Sequence, residues 1–158
     1  MRPIVIAFGS NLGDRDANIR TAAGQLARIL TDFTLSTIIE TSPVGAGLEH
    51  DPPYLNAVGM GRSTRPAREI FDALRALEEQ AARRRPYQGA PRTLDLDLIL
   101  AGEEVLDEGD LQVPHPRFRD RLFVLDPLVE IAPDLIDPVT RLTSRQLRDR
   151  VQEKRPAQ

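Results

Sequence analysis

The sequence predicts an α+β sandwich, with a ferredoxin-like βαββαβ core, a mainly antiparallel sheet and C-terminal additions. Two observations lead there. Between residues 4 and 100, short strand-like runs alternate with two stretches of three- and four-residue apolar periodicity, in the order strand, helix, strand, strand, helix, strand. The length of 158 residues suits one domain spanning 1–158, and a chain of this size buries about 70% of its unfolded surface.

Ile4 to Phe8 is an apolar run that ends at Gly9 and reads as a buried first strand. The turn-rich Gly9-Ser10-Asn11-Leu12-Gly13 follows, and Asp14 is placed to cap a helix over 15–30 whose apolar positions are Ile19, Ala22, Ala23, Leu26, Ile29 and Leu30. Phe33 to Glu40, rich in Thr, Ile and Leu, predicts the second strand. Residues 41–53 carry three prolines and two glycines, so they form a long loop, and long loops inside small domains tend to be functional. Tyr54 to Arg62 is the third strand. Ser63 or Thr64 then caps a helix with Pro66 in its first turn and Ile70, Leu74, Leu77 and Ala81 as its buried stripe, with Phe71 alongside. A basic loop runs from Arg83 to Pro91, and Leu94 to Ala101 is an apolar strand broken only by Asp95 and Asp97. A short polar hairpin, the segment Val113-Pro114-His115-Pro116, a helix over 123–131 and a terminal helix over 145–153 behind a Thr143-Ser144 cap complete the chain.

Composition narrows the function classes. The formal net charge of −3 gives no global positive field for nucleic acid or an anionic membrane. With no cysteine there is neither a disulfide framework nor a thiolate metal site, which fits a reducing, cytoplasmic setting. The apolar start is too short for a secretory leader, and no run approaches the ~18 apolar residues of a membrane span. A monomer is expected, with a homodimer left open.

Asp95 and Asp97 carry the chemistry. Alternate residues of a strand share a face, which sets these carboxylates about 7 Å apart at Cα. Their mutual repulsion is relieved by a cation, and hard oxygen ligands suit Mg²⁺, which completes its shell with water and phosphate. A pair of ions about 3.5–4 Å apart fits such a site. The alternative is a solvated strand face. Against it stand the apolar Leu94, Leu96, Leu98, Ile99 and Leu100, and the nearby Arg83, Arg84, Arg85 and Arg92, which suit phosphate.

Five blocks then resemble the 6-hydroxymethyl-7,8-dihydropterin pyrophosphokinase family: Phe8-Gly9-Ser10-Asn11-Leu12-Gly13-Asp14-Arg15, Pro53-Tyr54-Leu55-Asn56-Ala57-Val58, Pro91-Arg92-Thr93-Leu94-Asp95-Leu96-Asp97, Val113-Pro114-His115-Pro116, and Arg121-Leu122-Phe123-Val124-Leu125-Asp126-Pro127-Leu128 with Glu130-Ile131-Ala132-Pro133-Asp134 after it. The resemblance implies a ferredoxin-like fold and transfer of the β,γ-diphosphate of ATP to the hydroxymethyl group of a reduced pterin, with release of AMP, early in folate biosynthesis. It implies two Mg²⁺ ions on Asp95 and Asp97, with Arg83 and Arg92 as catalytic phosphate contacts. His115, Arg121, Arg85 and Glu78 are then expected on the ATP side. Thr41, Pro43, Val44, Tyr54, Asn56 and Phe123 are expected around the pterin. A flat polar heteroaromatic needs aromatic faces and amide hydrogen bonds, and these residue types supply them.

The chain departs from the family pattern at Ala81-Ala82 before Arg83, at Gln88-Gly89-Ala90, and at Asp110, where some members carry a basic residue. Gly9-Ser10-Asn11-Leu12-Gly13 lacks the lysine and spacing of a P-loop and reads as a structural turn. His50 is read as a loop residue. Two rival functions remain: a nucleotidyl transferase with an Asp-x-Asp strand, and a binding protein that kept only the pterin pocket. Release of AMP rather than pyrophosphate separates the first. Retention of Asp95, Asp97, Arg83 and Arg92 speaks against the second.

Overall fold

β1 (Arg2–Ser10) is apolar on both sides, which places it inside a sheet: Ile4, Ile6 and Phe8 join one buried cluster, Val5 and Ala7 another. In the computed structural model, which describes residues 1–41, 53–83 and 93–154, β1 is flanked by β4 (Tyr54–Ser63) and β5 (Asp95–Ala101). The outer edge of β4 pairs with β2 (Thr31–Leu35) and with β3 (Ile39–Thr41), giving the order β2-β4-β1-β5 with β3 also on β4. Every pairing is antiparallel. The α+β class read from the sequence, with a mainly antiparallel sheet, is therefore the observed one.

Each sheet face has its own cover. α1 (Arg15–Leu26) and α2 (Ala67–Ala82) lie on the face of Ile4, Ile6 and Phe8, contributing Ile19, Leu26, Ile70 and Leu74. The small hairpin β6 (Leu106–Asp107) and β7 (Gln112–Val113) adds Leu111 and Val113 to the same cluster. The opposite face receives a single 3₁₀ turn (Phe118–Asp120), α3 (Leu122–Ile131) and α4 (Ser144–Lys154) through Phe118, Val124, Leu125, Leu128 and Leu147. Among the described residues, no helix is long and apolar enough to cross a membrane.

Several boundaries differ from the sequence reading. Asp14 does cap α1, accepting from Ala17 N at 3.1 Å, but the helix stops at Leu26 rather than Leu30. A tightened turn, with Ile29 N on Leu26 O, carries Leu30 into the core beside Gly61, where any side chain would sit 2.7 Å from the Leu30 Cβ. The predicted strand 33–40 is split into β2 and β3, because an extra residue on the edge forces a bulge at Ser36–Ile38. α2 starts at Ala67 with Pro66 at its cap position. Ser63 Oγ accepts from Arg65 N, so it closes the preceding turn instead of capping the helix. At the C terminus, Thr143 Oγ1 accepts Gln146 N at 3.1 Å while Gln146 Oε1 accepts Thr143 N at 2.9 Å, a reciprocal capping box. The long loop over 41–53 and the basic loop over 83–91 lie almost wholly outside the described residues.

Candidate active site

β5 positions the acidic pair. Phe8 faces Leu96 and Ile6 faces Leu98, while Ala7 faces Asp97 and Gly9 faces Asp95. Directly opposed residues share a face, so Leu96 and Leu98 enter the α1/α2 core and both aspartates project on the α3 side. Past Leu98 the register shifts, and Ile99 and Leu100 both join the α3/α4 core. That bulge lets one strand end in a fully apolar stretch and begin in a half-buried acidic one.

The pairing builds a row across the sheet: Ile39 opposite Asn56, Asn56 opposite Gly9, Gly9 opposite Asp95. With strands about 4.8 Å apart, Asn56 and Asp95 stand about 10 Å apart with a glycine between them. A Cβ at Gly9 would meet Asn56 Oδ1 at 3.5 Å and Tyr54 Cδ1 at 4.0 Å, so the glycine forms the low floor of a cleft walled by Asn56 and Tyr54. Asn56 is buried and donates from Nδ2 to Thr41 Oγ1 at 2.6 Å. Among the described residues its carbonyl oxygen meets no donor, and it can accept from a ligand edge.

This row opens into a cavity of about 910 Å³, lined by Thr41, Tyr54, Asn56, Asp95, Asp97, His115, Arg121 and Phe123 among others. Phe123, at the start of α3, keeps 38% of its surface exposed, and the Arg121 guanidinium lies 5.5 Å from its ring centre. A second cavity of about 220 Å³ lies round the open edge of β5, between Phe71 and Arg75 of α2 and the tip residues Asp110 to Gln112 of the β6–β7 hairpin. Asp97 and His115 line both cavities and so stand where they meet.

Local networks hold these groups. Ser10, buried at the end of β1, donates to Thr93 O just ahead of Asp95, and Asn18 Nδ2 contacts Ser10 Oγ and Leu12 O at 3.3 and 3.2 Å. Gly9-Ser10-Asn11-Leu12-Gly13 is thus the structural turn that the sequence suggested, and it fixes the entry to the acidic strand. His115 N–H donates to Ile99 O at 2.9 Å, while its Nδ1 accepts Arg117 N–H at 3.2 Å. Burial pushes the imidazole below its ordinary pKa; Asp97 opposes this, and Arg121 and Arg117 add to it. A neutral ring with Nδ1 accepting carries its proton on Nε2, as a donor.

Eight of the expected site residues therefore converge on one cavity. Glu78 and Arg83 line neither. The Glu78 carboxylate accepts Leu96 N–H at 2.8 Å and pairs with Arg75 at 2.9 Å, bracing β5 between the two aspartates. Arg83 ends α2, exposed, with Glu79 at 3.4 Å. Pro43, Val44, Arg85 and Arg92 lie outside the described residues. The sequence reading missed the floor glycine, Gly9, and the small cavity's Phe71 and Arg75. The floor role of Gly9 depends on the register of neighbouring strands, which alternation along one strand does not report. Phe71 and Arg75 had no signal apart from their place on a helix face.

An antiparallel sheet that the described helices cover on one face and in part on the other, with a two-chambered cleft that is acidic where the chambers join and aromatic at one side, defines a small-molecule site within the α+β class. A model of the 7,8-dihydro-6-hydroxymethylpterin-pyrophosphokinase family matches residues 5–133, and the chain belongs to that family. Relatives include the 2-amino-4-hydroxy-6-hydroxymethyldihydropteridine pyrophosphokinases of Bacillus subtilis, 41% identical over 80% of this chain and 75% of that protein, and of Aquifex aeolicus, 31% identical over 89% and 87%. Among solved structures, Plasmodium falciparum HPPK-DHPS wild type with pteroate superposes with a TM-score of 0.70 at 14% identity, covering 96% of this chain. The present chain spans only 43% of that longer one, and at that identity the likeness speaks for the fold.

Proposed function

We propose that this chain transfers the diphosphate of ATP to the hydroxymethyl group of 6-hydroxymethyl-7,8-dihydropterin, giving AMP and the pterin diphosphate for folate synthesis. The observation that carries the reading is the meeting of two cavities at Asp97 and His115, one suited to a flat ring and the other to a nucleotide. In the transfer, the hydroxymethyl oxygen forms a bond to the β-phosphorus of ATP, the bond from that phosphorus to the α–β bridging oxygen breaks, and the hydroxyl proton passes to solvent. Such a reaction needs positioning and charge neutralisation more than covalent chemistry.

The donor set fits Mg²⁺: two half-buried carboxylates on one strand face, in a cavity with room for water and phosphate oxygens. Asp95 and Asp97 are the residues proposed to hold the two ions. Bound Mg²⁺ would neutralise the triphosphate and acidify the substrate hydroxyl. The protein's residues do the rest. Tyr54 and Phe123 bracket the pterin, Asn56 reads its edge with Thr41 holding the amide, and Pro43 and Val44, outside the described residues, are assigned to the pterin by the family resemblance. Arg121 and the Nε2 donor of His115 hold the nucleotide with Arg85. Arg83 and Arg92 are assigned to the phosphates by the family resemblance. Glu78 is assigned to the nucleotide side through the strand that it braces.

The ferredoxin-like reading of the fold is supported by the strand order β2-β4-β1-β5, in which β1 lies between β4 and β5. A single domain over 1–158 is supported by Leu147 of α4 sharing a core with Val5 of β1. One chain lines both cavities, which supports a monomer as the working form, and ATP as co-substrate points to the cytoplasm.

The test is an assay with ATP, Mg²⁺ and the pterin alcohol, scoring AMP. Turnover that disappears on chelation and returns with Mg²⁺ is expected. AMP release unaffected by chelation defeats the metal assignment, and pyrophosphate as the product defeats the reaction.

A further inference from the structure

Between β2 and β3 the edge carries one residue more than β4 opposite it: Leu35 pairs with Gly59, and Ile39 with Asn56. Ser36 absorbs the surplus. Its N–H donates to Val58 O at 2.8 Å, and its Oγ accepts Val58 N–H at 2.9 Å in place of a backbone carbonyl. The Thr37 N–H donates instead to Glu130 of α3: the two carboxylate oxygens accept from it at 3.1 and 3.0 Å, and one also accepts the Thr37 hydroxyl at 2.9 Å.

Glu130 joins two walls of the larger cavity. It lies on α3 about two turns beyond Phe123, so the two side chains share a helix face. Thr37 leads into β3, which ends at Thr41, whose hydroxyl holds the Asn56 amide. β3 has only three residues, paired with β4 alone, so its backbone ladder is a weak anchor. Arg15 ties the outer side, with Pro53 O at 2.7 Å and Glu40 at 3.5 Å. On the side of the cleft, among the described residues, Glu130 supplies the hydrogen-bonded tether.

We propose that Glu130 is a positioning residue for the ring-binding half of the cleft, setting the gap between Phe123 and the Thr41–Asn56 wall. The inference rests on the pyrophosphokinase reading. Glu130 and Thr37 are both exposed, so water can replace the lost hydrogen bonds and folding suffers little. Water cannot hold α3 to a strand, so the loss falls on geometry and on ring binding.

The experiment measures steady-state AMP release with each substrate varied, together with thermal midpoints, for the unaltered chain, Glu130→Ala and Glu130→Gln. Expected for Glu130→Ala is a pterin KM raised about tenfold with ATP KM and midpoint nearly unchanged. Glu130→Gln, whose amide oxygen still accepts from Thr37, should recover to within about threefold. Equal shifts in both KM values, an unchanged pterin KM, or a glutamine variant as poor as alanine each overturn the inference and leave the reaction assignment standing. If Glu130→Ala does not fold, Thr37→Val, which deletes only the hydroxyl bond, must still raise pterin KM about two- to threefold, and no rise overturns the proposal. An unaltered chain that releases no AMP overturns the assignment, and this inference with it.

Discussion

On one face the sheet is covered along its length by α1, α2 and the β6–β7 hairpin, and the inward residues there, Ile4, Ile6 and Phe8 of β1 and Leu96 and Leu98 of β5, with Leu94 just ahead of it, are apolar side chains in the core. On the other face, among the described residues, α3, α4 and the 3₁₀ turn cover only one end, over Val5, Val58, Ile99 and Leu100. The uncovered end carries Asn56, Gly9, Asp95 and Asp97, and there the large cavity opens. The same backbone thus does two jobs. Full cover supplies the stability, and partial cover on a rigid floor presents polar groups at fixed spacing. The strand alternation assigns each residue of β5 to one job or the other.

The sharpest way to break this comparison sets neighbours against each other. Asp97→Ala should lower AMP release by about 10²–10³ while the thermal midpoint stays close to that of the unaltered chain. Leu96→Ala, one residue away on the covered face, should cost about 2–5 kcal/mol of stability by urea unfolding and leave the turnover of the folded fraction intact. Near-normal turnover of Asp97→Ala would end the division of labour.

The incomplete cover needs a lock, and a polar one is present. Asp137 is buried and accepts from Arg119 Nε and Nη2, from Val139 N–H at 3.0 Å and from Thr140 Oγ1 at 2.7 Å, joining the 3₁₀ turn to the segment before α4. Burial alone would raise its carboxyl pKa, but the hydrogen bonds from Arg119, Thr140 and Val139 outweigh that and hold it below its ordinary value. The folded chain therefore binds this proton less readily than the unfolded chain does. The stabilisation is complete above the ordinary carboxyl value of about 4 and is lost as pH falls through the lowered folded one. Asp137→Asn should cost about 3 kcal/mol near neutrality. Urea titrations across pH should show the variant and the unaltered chain converging on acidification, and a gap independent of pH would remove the lock.

Much of this architecture was legible in the sequence. Periodicity marked α1, α2 and the apolar strands, and the i,i+2 spacing of Asp95 and Asp97 put both acids on one face. The split of the edge into β2 and β3 was not legible, because it depends on Ser36 replacing a backbone acceptor for Val58, a pairing between residues far apart in the chain. Nor was the floor role of Gly9, which requires the register of three strands at once. Local patterns report which face a residue takes. They do not report what lies across from it.

The Gly9 floor supplies a milder test. A small side chain there meets only ordinary contacts, so Gly9→Val should fold with a midpoint near that of the unaltered chain. The branched side chain would nonetheless stand in the cleft between Asn56 and Asp95. A pterin KM raised about tenfold, with ATP KM little changed, is expected from steady-state kinetics. A variant that binds pterin normally would show that the ring does not rest on this row.

The smallest effect is expected where the covered face borders the second cavity. Arg68 grips Asp110 through two bonds of 3.1 and 3.0 Å, and its guanidinium lies 5.4 Å from the centre of the Phe71 ring. Both partners are exposed, so salt screens the pair. The hairpin is already seated by Leu111 and Val113, which are 2% and 1% exposed. Arg68→Ala should therefore raise ATP KM by no more than about threefold, and the difference should shrink further at high salt. A tenfold rise would mean that the outer wall of this chamber is held by charge rather than by buried apolar anchors, and the covered face would then resemble the open one more than its packing implies.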